Sequence, residues 1–133
     1  MENWIIPCNV RFFDIEKHFE QCNIVVWKKD SNSIKLGDNV YLYLGAPYSQ
    51  ILYKCVVSNI DVSEDIVEKN SYAIRADAKH KKQKYMELKL IKKYEKDTFP
   101  YTVLKENGLG QVQKQARTDR KLQAFISMRD DEE

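Results

Sequence analysis

Glycine, proline, cysteine and histidine are scarce in this sequence, with 4 Gly, 3 Pro, 3 Cys and 2 His among 133 residues. Repeats and low-complexity segments are absent as well, so length and composition indicate one ordinary globular domain. Cys8, Cys22 and Cys55 are odd in number and widely spaced, without a C-x-x-C pair. This pattern favours neither a disulfide framework nor a zinc site, and we expect three small buried thiols.

Long apolar runs are also missing. No run approaches the roughly 18 residues that a membrane helix needs. The start of the chain, Met1 to Trp4, lacks the basic and apolar regions of a signal peptide. The sequence therefore predicts an intracellular, cytoplasmic protein that does not contact a membrane.

Catalytic motifs are the third absence. The sequence contains no G-x-S-x-G, H-E-x-x-H, P-loop or dinucleotide-binding glycine pattern. His18 on a predicted helix and His80 in a lysine run are typical of structural or solvated histidines. Asp14, Glu16 and Glu20 form a carboxylate group typical of an exposed helix face. We therefore expect no catalysis, metal or cofactor in this chain.

A net charge of +2 conceals an uneven distribution of 22 basic and 20 acidic residues. Met1 to Ile66 contain 6 basic and 9 acidic residues, whereas the remainder contains 16 basic and 11 acidic residues. The second part therefore predicts a surface that faces a polyanion such as nucleic acid. The alternative is a lysine-rich face that only interacts with solvent.

Five segments have the pattern of β-strands. The apolar residues Trp4 to Ile6 predict a short buried strand that Pro7 ends by removing a hydrogen-bond donor. Side-chain alternation and β-branched residues predict the others. These segments are Ile24 to Trp27, Val40 to Leu44, Ile51 to Ile60 and Tyr85 to Ile91. The short loop Gly45 to Ser49 predicts that the two strands beside it pair antiparallel.

Three segments have helical signals. Asp14 is the predicted N-cap of a first helix, and Thr98 of a short helix through Leu104 that Asn107 and Gly108 end. The apolar stripe of the first helix has residues three or four apart: Phe12, Ile15, Phe19 and Cys22. A last helix fits Thr118 or Asp119 as its cap. Its predicted buried face consists of Leu122, Phe125 and Ile126.

These elements favour an α+β domain, with four to six mostly antiparallel strands in a curled sheet or small barrel and two or three short helices. The weakly patterned stretch Ser63 to Lys84 is predicted to be an excursion from it. The acidic residues Asp130 to Glu133 are expected to be frayed. We therefore predict a single domain over residues 1–127, followed by an acidic tail or linker start over residues 128–133.

Trp27 closes a predicted strand and is followed at once by Lys28 and Lys29. A flat ring beside positive charge suits a nucleobase and its phosphate, and stacking of one base is worth about 1–3 kcal/mol. We therefore predict phosphate contacts from basic residues beside this ring and late in the chain. They are Lys28, Lys29, Lys114, Arg117, Arg120 and Lys121.

An ordered set of segments resembles the EVE domain of the PUA-like superfamily. The set consists of Trp4 to Asn9, Phe12 to Cys22, Ile24 to Lys28, Ile34 to Tyr41, Gly45 to Ser49, Ile51 to Cys55, and Leu104 to Leu109 with Gln113 and Arg117. The resemblance covers nearly the whole chain except Ser63 to Lys84. It implies a small curled β-barrel with flanking helices and a pocket for a base flipped out of a nucleic-acid strand. The superfamily includes YTH readers of methylated adenine in RNA and SRA readers of methylated cytosine in DNA.

The resemblance also implies roles for individual residues. Trp27 resembles the tryptophan that forms an aromatic wall of the YTH pocket, with Pro7, Cys8 and Asn9 at the same mouth. Asn9 and the backbone of Cys8 are expected to hydrogen-bond a base edge. Tyr48 and Ser49 are expected to close the other side. EVE domains often accompany nuclease or NTPase modules in modification-dependent restriction systems, so any catalysis is expected in a fused or partner module.

Three functions remain open at this point. The leading prediction is a module that reads a methylated or hydroxymethylated cytosine, or a methyladenine, in DNA. A reader of modified bases in RNA is the second, because single-stranded RNA offers unstacked bases and similar phosphates. A protein or small-ligand interaction module is the third, with a groove lined by Tyr41, Tyr43 and Tyr48.

Overall fold

The computed structural model describes residues 1–62 and 84–132. In these residues six strands form one sheet in the order β2-β5-β4-β3-β1-β6. The elements are β1 (Asn3–Cys8), α1 (Ile15–Gln21), β2 (Ile24–Lys28), β3 (Asn39–Leu44), β4 (Gln50–Asn59), β5 (Tyr85–Lys93), α2 (Tyr101–Glu106), β6 (Ala116–Arg117) and α3 (Arg120–Asp131). The predicted α+β class and all five predicted strands are confirmed. The excursion predicted for Ser63 to Lys84 lies outside the described residues, apart from Lys84.

The sheet is mostly antiparallel, as predicted. The exception is β1, which pairs with β3 in parallel, with Trp4 opposite Val40 and Cys8 opposite Leu44. Register shifts interrupt the pairing of β3 with β4 and of β4 with β5. Such irregularities bend strands and increase their twist, which favours a curled sheet. Within residues 1–62 and 84–132 no strand pairing joins β2 to β6, so the sheet is not the closed barrel that was expected.

Pro7 lies inside β1, so the prediction that it ends the strand is wrong. The polar groups of Cys8 face β3, because the Gly45 N–H donates to the Cys8 carbonyl at 3.1 Å. Backbone groups alternate in direction along a strand, so the nitrogen of Pro7 faces β6 instead. The paired residues of β6 reach only Trp4 and Ile5. Proline therefore removes no sheet hydrogen bond at this position.

The two faces of the sheet bury separate groups of apolar side chains. The inner group includes Ile6, Leu42 and Met86, and it also contains Ile15 of α1. The outer group joins Ile5, Tyr41 and Tyr43 of the strands to residues of the helices that cover them. These are Leu104 of α2 and Leu122 and Ile126 of α3. The period-two alternation of the strands thus places neighbouring residues in different cores.

The first helix is shorter than its predicted apolar stripe. Asp14 caps it as predicted, because the Asp14 side chain accepts the Lys17 N–H at 3.0 Å. Phe12 and Cys22 lie outside the seven helical residues and are exposed. The expectation of three buried thiols is therefore wrong for Cys22. His18 is structural, as predicted, since it is buried with its Nε2 2.7 Å from the Ile24 carbonyl oxygen.

The later helices differ from prediction at one end each. The second helix begins after Pro100 rather than at Thr98, and it ends as predicted at Asn107 and Gly108. Asp119 caps α3 as predicted, accepting the Leu122 N–H at 2.7 Å. The prediction of a frayed tail is wrong for Asp130 and Asp131, which belong to α3. Two lysines of the sheet bind the Asp130 side chain: Lys54 at 3.0 Å and Lys92 at 2.7 Å.

Candidate nucleic-acid interface

A cavity of about 450 Å³ lies where β1 and β3 end. Parallel strands finish at the same edge of a sheet, so the segments that follow Cys8 and Leu44 meet there. The segment before β6 covers the other side. We name this cavity the cleft, and its lining includes Pro7, Cys8, Asn9, Arg11, Tyr43, Ala46, Val112 and Gln113. Three of the residues predicted to hold a base are therefore brought together here.

Cys8 and Asn9 are already engaged in hydrogen bonds that shape the cleft. The carbonyl of Cys8 accepts the Gly45 N–H, and burial raises the pKa of its thiol to about 12, so the thiol stays neutral. The Asn9 Oδ1 accepts the Arg11 N–H at 3.1 Å. Among the described residues nothing bonds the Asn9 Nδ2, which leaves a donor for a ligand.

Tyr43 supplies the aromatic surface of the cleft. Burial raises the pKa of Tyr43, a hydrogen bond with Ser49 opposes that rise, and Tyr101 adds to it. The Tyr43 and Tyr101 ring centroids lie 6.3 Å apart with their planes nearly perpendicular. Ser49 is therefore not a lining residue of the cleft, but it forms a hydrogen bond with Tyr43, which is. Arg11 and Val112 also line the cleft but were not predicted as site residues. Their only signal in the sequence is that they lie near Asn9 and beside Gln113.

Trp27 does not line the cleft. It has the same strand parity as Val25, so its side chain faces the inner core. There it is half-buried, with its ring edge-on to Phe13 at a centroid distance of 5.5 Å. The ring predicted to stack on a base thus packs behind the turn that follows β1.

Tyr48 lies on the other side of its loop, in a second depression that we name the groove. One part of the groove, of about 380 Å³, is lined by residues that include Glu16, Tyr48, Tyr53 and Lys93. The adjoining part includes Val10, Glu16 and Tyr48. Burial raises the pKa of Tyr53, and Glu16 adds to the effect.

The three tyrosines of the predicted interaction groove do not share one surface. Tyr41 is buried beneath α3, with its hydroxyl 3.3 Å from the Gln123 Nε2. Tyr43 lies in the cleft and Tyr48 in the groove. That arrangement is therefore corrected. Tyr41 and Tyr43 share one face of β3, but Tyr41 is covered by α3, and Tyr48 lies in the loop after the strand on the side of the groove.

Gln115, which directly precedes β6, links the two edge strands of the sheet, β2 and β6. Its Nε2 donates to the Lys28 carbonyl at 2.8 Å, and its Oε1 accepts the Asp30 N–H at 3.1 Å. The strands β2 and β6 are otherwise at opposite ends of the strand order. Gln115 follows Gln113 of the cleft by two residues, so this bridge fastens the segment that lines the cleft to the segment that follows β2.

Several lysines converge beside this bridge. The pKa of Lys29 lies below its ordinary value because of partial burial and then because of the charges on Lys84 and Lys35. Its Nζ donates to the Ser31 carbonyl at 3.0 Å. We name these residues, with the neighbours of the bridge, the basic cluster: Lys28, Lys29, Lys35, Lys84 and Lys114. Converging positive charges favour an anionic ligand.

The other predicted phosphate contacts lie farther from the cleft. Arg117 is exposed and pairs with Trp4 near the start of β1, with its guanidinium carbon 5.2 Å from the Trp4 ring centroid. Arg120 and Lys121 follow in the first turn of α3 and are exposed. The six predicted residues thus form two groups, and none of the six lines the cleft itself. Lys28 and Lys29 lie at the Gln115 bridge, and Lys114 precedes Gln115 in the segment that the bridge fastens.

The described residues show no group of three or more His, Cys, Asp and Glu side chains placed to hold a metal ion. They also contain no helix that is both long and apolar enough to cross a membrane.

Solved structures with the same arrangement of strands and helices define the class of fold as PUA-like. An ASCH protein from Zymomonas mobilis has a TM-score of 0.66 and 13% identity, covering 96% of this chain and 95% of that chain. A hypothetical protein from Leishmania major has a TM-score of 0.64 and 16% identity, covering 99% and 96%. A protein from Pseudomonas syringae has a TM-score of 0.63 and 14% identity, covering 96% and 99%. The predicted PUA-like fold is therefore confirmed, with ASCH rather than EVE as the named neighbour. No family model and no curated protein matches the sequence.

Proposed function

We propose that this chain is a nucleic-acid-binding module that takes one base into the cleft while the basic cluster holds the neighbouring phosphates. The observation that carries the proposal is the bridge made by Gln115. It fastens the segment that lines the cleft to the segment that carries Lys28 and Lys29. The bridge thereby links a base-sized depression to the lysines that we propose bind the phosphates.

The chemistry of the cleft suits an unstacked base. The Tyr43 ring offers a stacking or edge contact, and the Asn9 Nδ2 offers a donor to a base edge. A cavity of about 450 Å³ falls within the range typical of small-ligand sites and has room for one base. Arg11 adds a cation at the rim. Stacking and hydrogen bonding offset the few kcal/mol that base flipping costs.

The finer part of the proposal is a modified base in DNA. Pro7, Ala46 and Val112 give the cleft an apolar wall that suits an added methyl group. The resemblance to EVE domains supports a role as the specificity domain of a modification-dependent restriction or defence system, with nuclease or NTPase chemistry in a fused or partner module. The chain itself is proposed to bind without catalysis.

Blocking the cleft tests the proposal. Gln113 lines the cleft and is exposed, so Gln113→Trp places a large ring there without disturbing a core. We expect the variant to bind its preferred duplex about tenfold or more weakly, since the stacking of one base is lost. Fluorescence anisotropy measures this, using duplexes that carry cytosine, methylcytosine, hydroxymethylcytosine or methyladenine, and RNA of matched sequence.

The matched control is Gln111→Trp. Gln111 is exposed, does not line the cleft, and shares with Gln113 the 2.9 Å hydrogen bond that both substitutions remove. We expect it to bind like the wild type. Equal weakening by both variants, or no binding of any duplex by the wild type, contradicts the proposal. A strong preference for RNA overturns the choice of DNA.

A further inference from the structure

The groove lies against the cleft, on the other side of two segments that line both. In the loop after β3, Ala46 lines the cleft and Pro47 lines the groove. In the turn after β1, Asn9 and Arg11 line the cleft, whereas Val10 between them lines the groove. Neighbouring residues of one segment thus line different cavities. A nucleotide next to the one in the cleft can therefore reach the groove.

Tyr53 supplies a hydrogen-bond donor to the groove. Its side chain is 1% exposed, and its ring packs in the inner core with its centroid 4.9 Å from that of Phe19. The part of Tyr53 that reaches the groove is therefore its hydroxyl end. Nothing in residues 1–62 or 84–132 hydrogen-bonds this hydroxyl. Burial and then the charge of Glu16 raise the pKa of Tyr53, so the hydroxyl stays protonated and can donate.

Glu16 and Tyr48 line both parts of the groove. Glu16 is exposed in the first turn of α1, and within the described part of the chain its carboxylate has no hydrogen bond or ion pair. An ionised carboxylate has two oxygens and only accepts hydrogen bonds. The half-buried Tyr48 ring adds an aromatic surface. The groove therefore offers a ring, a donor and a two-oxygen acceptor.

The charges that line the groove do not favour a phosphate. In its larger part Lys93 and Lys96 are balanced by Glu16 and Glu95, and all four are exposed. Asp14 adds a negative charge in the adjoining part. A surface without net positive charge does not attract an anion. The neutral and planar part of a nucleotide, its base, suits the groove better.

We propose that the groove binds the base of the nucleotide beside the one in the cleft, and that this base is guanine. This rests on the proposed function and deepens it, because it adds a neighbouring base to what the chain recognises. The Watson–Crick edge of guanine presents two adjacent N–H donors beside a carbonyl acceptor, which no other standard base does. The two donors suit the Glu16 carboxylate, and the carbonyl suits the Tyr53 hydroxyl.

The test varies only the base beside the modified one. Duplexes carry a two-base bulge in which the preferred modified base adjoins guanine, inosine, adenine or cytosine on either side, so that both bases are already unpaired. Fluorescence anisotropy measures the affinity of the full chain for each. We expect guanine, on one of the two sides, to bind about tenfold more tightly than inosine, which lacks one of the donors to Glu16. Adenine and cytosine are expected to bind no better than inosine.

Two substitutions in the groove should change this preference. Glu16→Gln leaves one acceptor oxygen, so guanine and inosine should bind within about twofold of each other. Guanine binding should weaken although the variant is less negative, which is the opposite of a general charge effect. Tyr53→Phe removes only the hydroxyl and should weaken guanine and inosine alike, by about fivefold, since both bases carry the carbonyl.

The matched control is Glu20→Gln. Glu20 is exposed on the same helix, lines neither the cleft nor the groove, and its substitution makes the same change of charge. We expect this variant to keep the preference for guanine. All three variants should also keep the preference for the modified over the unmodified base, because the cleft is intact.

Equal affinity of the wild type for the four neighbouring bases overturns the guanine site while the proposed function stands. A guanine preference that survives Glu16→Gln, or that Glu20→Gln abolishes equally, overturns it as well. Failure of the wild type to bind any bulged duplex overturns the proposed function too.

Discussion

Asp38 is a carboxylate buried at the start of the parallel strand pair. It is 2% exposed and accepts three hydrogen bonds, from the Glu2 N–H at 3.0 Å, the Trp4 Nε1 at 3.0 Å and the Lys35 N–H at 2.9 Å. Burial alone raises its pKa, but these hydrogen bonds and the charge of the N-terminal amine together outweigh burial and lower it. One side chain thus fixes the start of β1 to the turn that precedes β3.

Replacing this carboxylate tests its role in stability. Asp38→Asn keeps one acceptor oxygen and sets an amide donor against N–H donors, so we expect the free energy of unfolding at neutral pH to fall by about 2–3 kcal/mol. A lowered folded-state pKa gives stability that is present above the ordinary carboxyl pKa and lost as pH falls through the folded value. The difference from wild type should therefore shrink in acid.

Urea unfolding at neutral and acidic pH measures both effects. The exposed Asp61 gives the control, since Asp61→Asn should leave the free energy of unfolding nearly unchanged. An Asp38→Asn variant as stable as the wild type at neutral pH contradicts this account of the buried carboxylate.

At the scale of elements, α3 is fastened to the sheet by its acidic end. The Lys92 Nζ donates to both the Asp130 carboxylate and the Asp130 carbonyl, and the Lys54 Nζ donates to the same carboxylate. Burial opposes ionisation of Asp130, but the two lysines outweigh it and lower the pKa of the carboxyl. The last turn of the helix therefore stays ordered although its neighbours are acidic.

Neutralising Asp130 should loosen this attachment. We expect Asp130→Asn to lower the free energy of unfolding by about 1–2 kcal/mol at neutral pH, because two partly buried lysines lose their counter-ion. The effect should decline below the ordinary carboxyl pKa, since the folded-state pKa is lowered. Thermal unfolding across pH checks it, and the exposed neighbour offers Asp131→Asn as control. Identical effects of the two substitutions would show that only net charge matters.

Local signals explain which elements could be predicted. Asp14 and Asp119 cap helices through N–H groups three residues away, so the sequence contains the whole motif. The contact of Lys54 with Asp130 joins residues 76 apart, and that of Gln115 with Lys28 joins residues 87 apart. No local pattern reveals such partners, which is why the acidic end was expected to fray.

The residues of the candidate site likewise divide into those that the local sequence predicts and those that it does not. Pro7, Cys8 and Asn9 were expected at the mouth and line the cleft, because Pro7 and Cys8 are the last residues of β1 and Asn9 follows them. Trp27 was expected there too, yet its position in the alternation of β2 directs its half-buried side chain toward the inner core. Arg11 was not predicted as a site residue, because only the folded turn after β1 brings it to the cleft. A residue type alone therefore indicated the chemistry but not the direction of the side chain.

At the scale of the whole molecule, the fold mixes the acidic and basic parts of the chain. Three lysines of the basic cluster, Lys28, Lys29 and Lys35, come from the part with a net negative charge, and Lys84 and Lys114 come from the other. The cleft likewise combines residues from both ends of the sequence. The charge that matters for binding is therefore local and is not given by the sum over either part.

The salt dependence of binding tests the central claim most directly. The affinity for the preferred duplex is measured against salt for the wild type, for a variant with Lys28, Lys29 and Lys114 changed to Gln, and for a control with the exposed Lys89, Lys93 and Lys105 changed to Gln. Both variants remove the same charge. We predict that the slope of log K against log salt falls by about 2–3 for the cluster variant and stays unchanged for the control. Equal slopes for the two variants would contradict the claim that the basic cluster beside the cleft holds the phosphates.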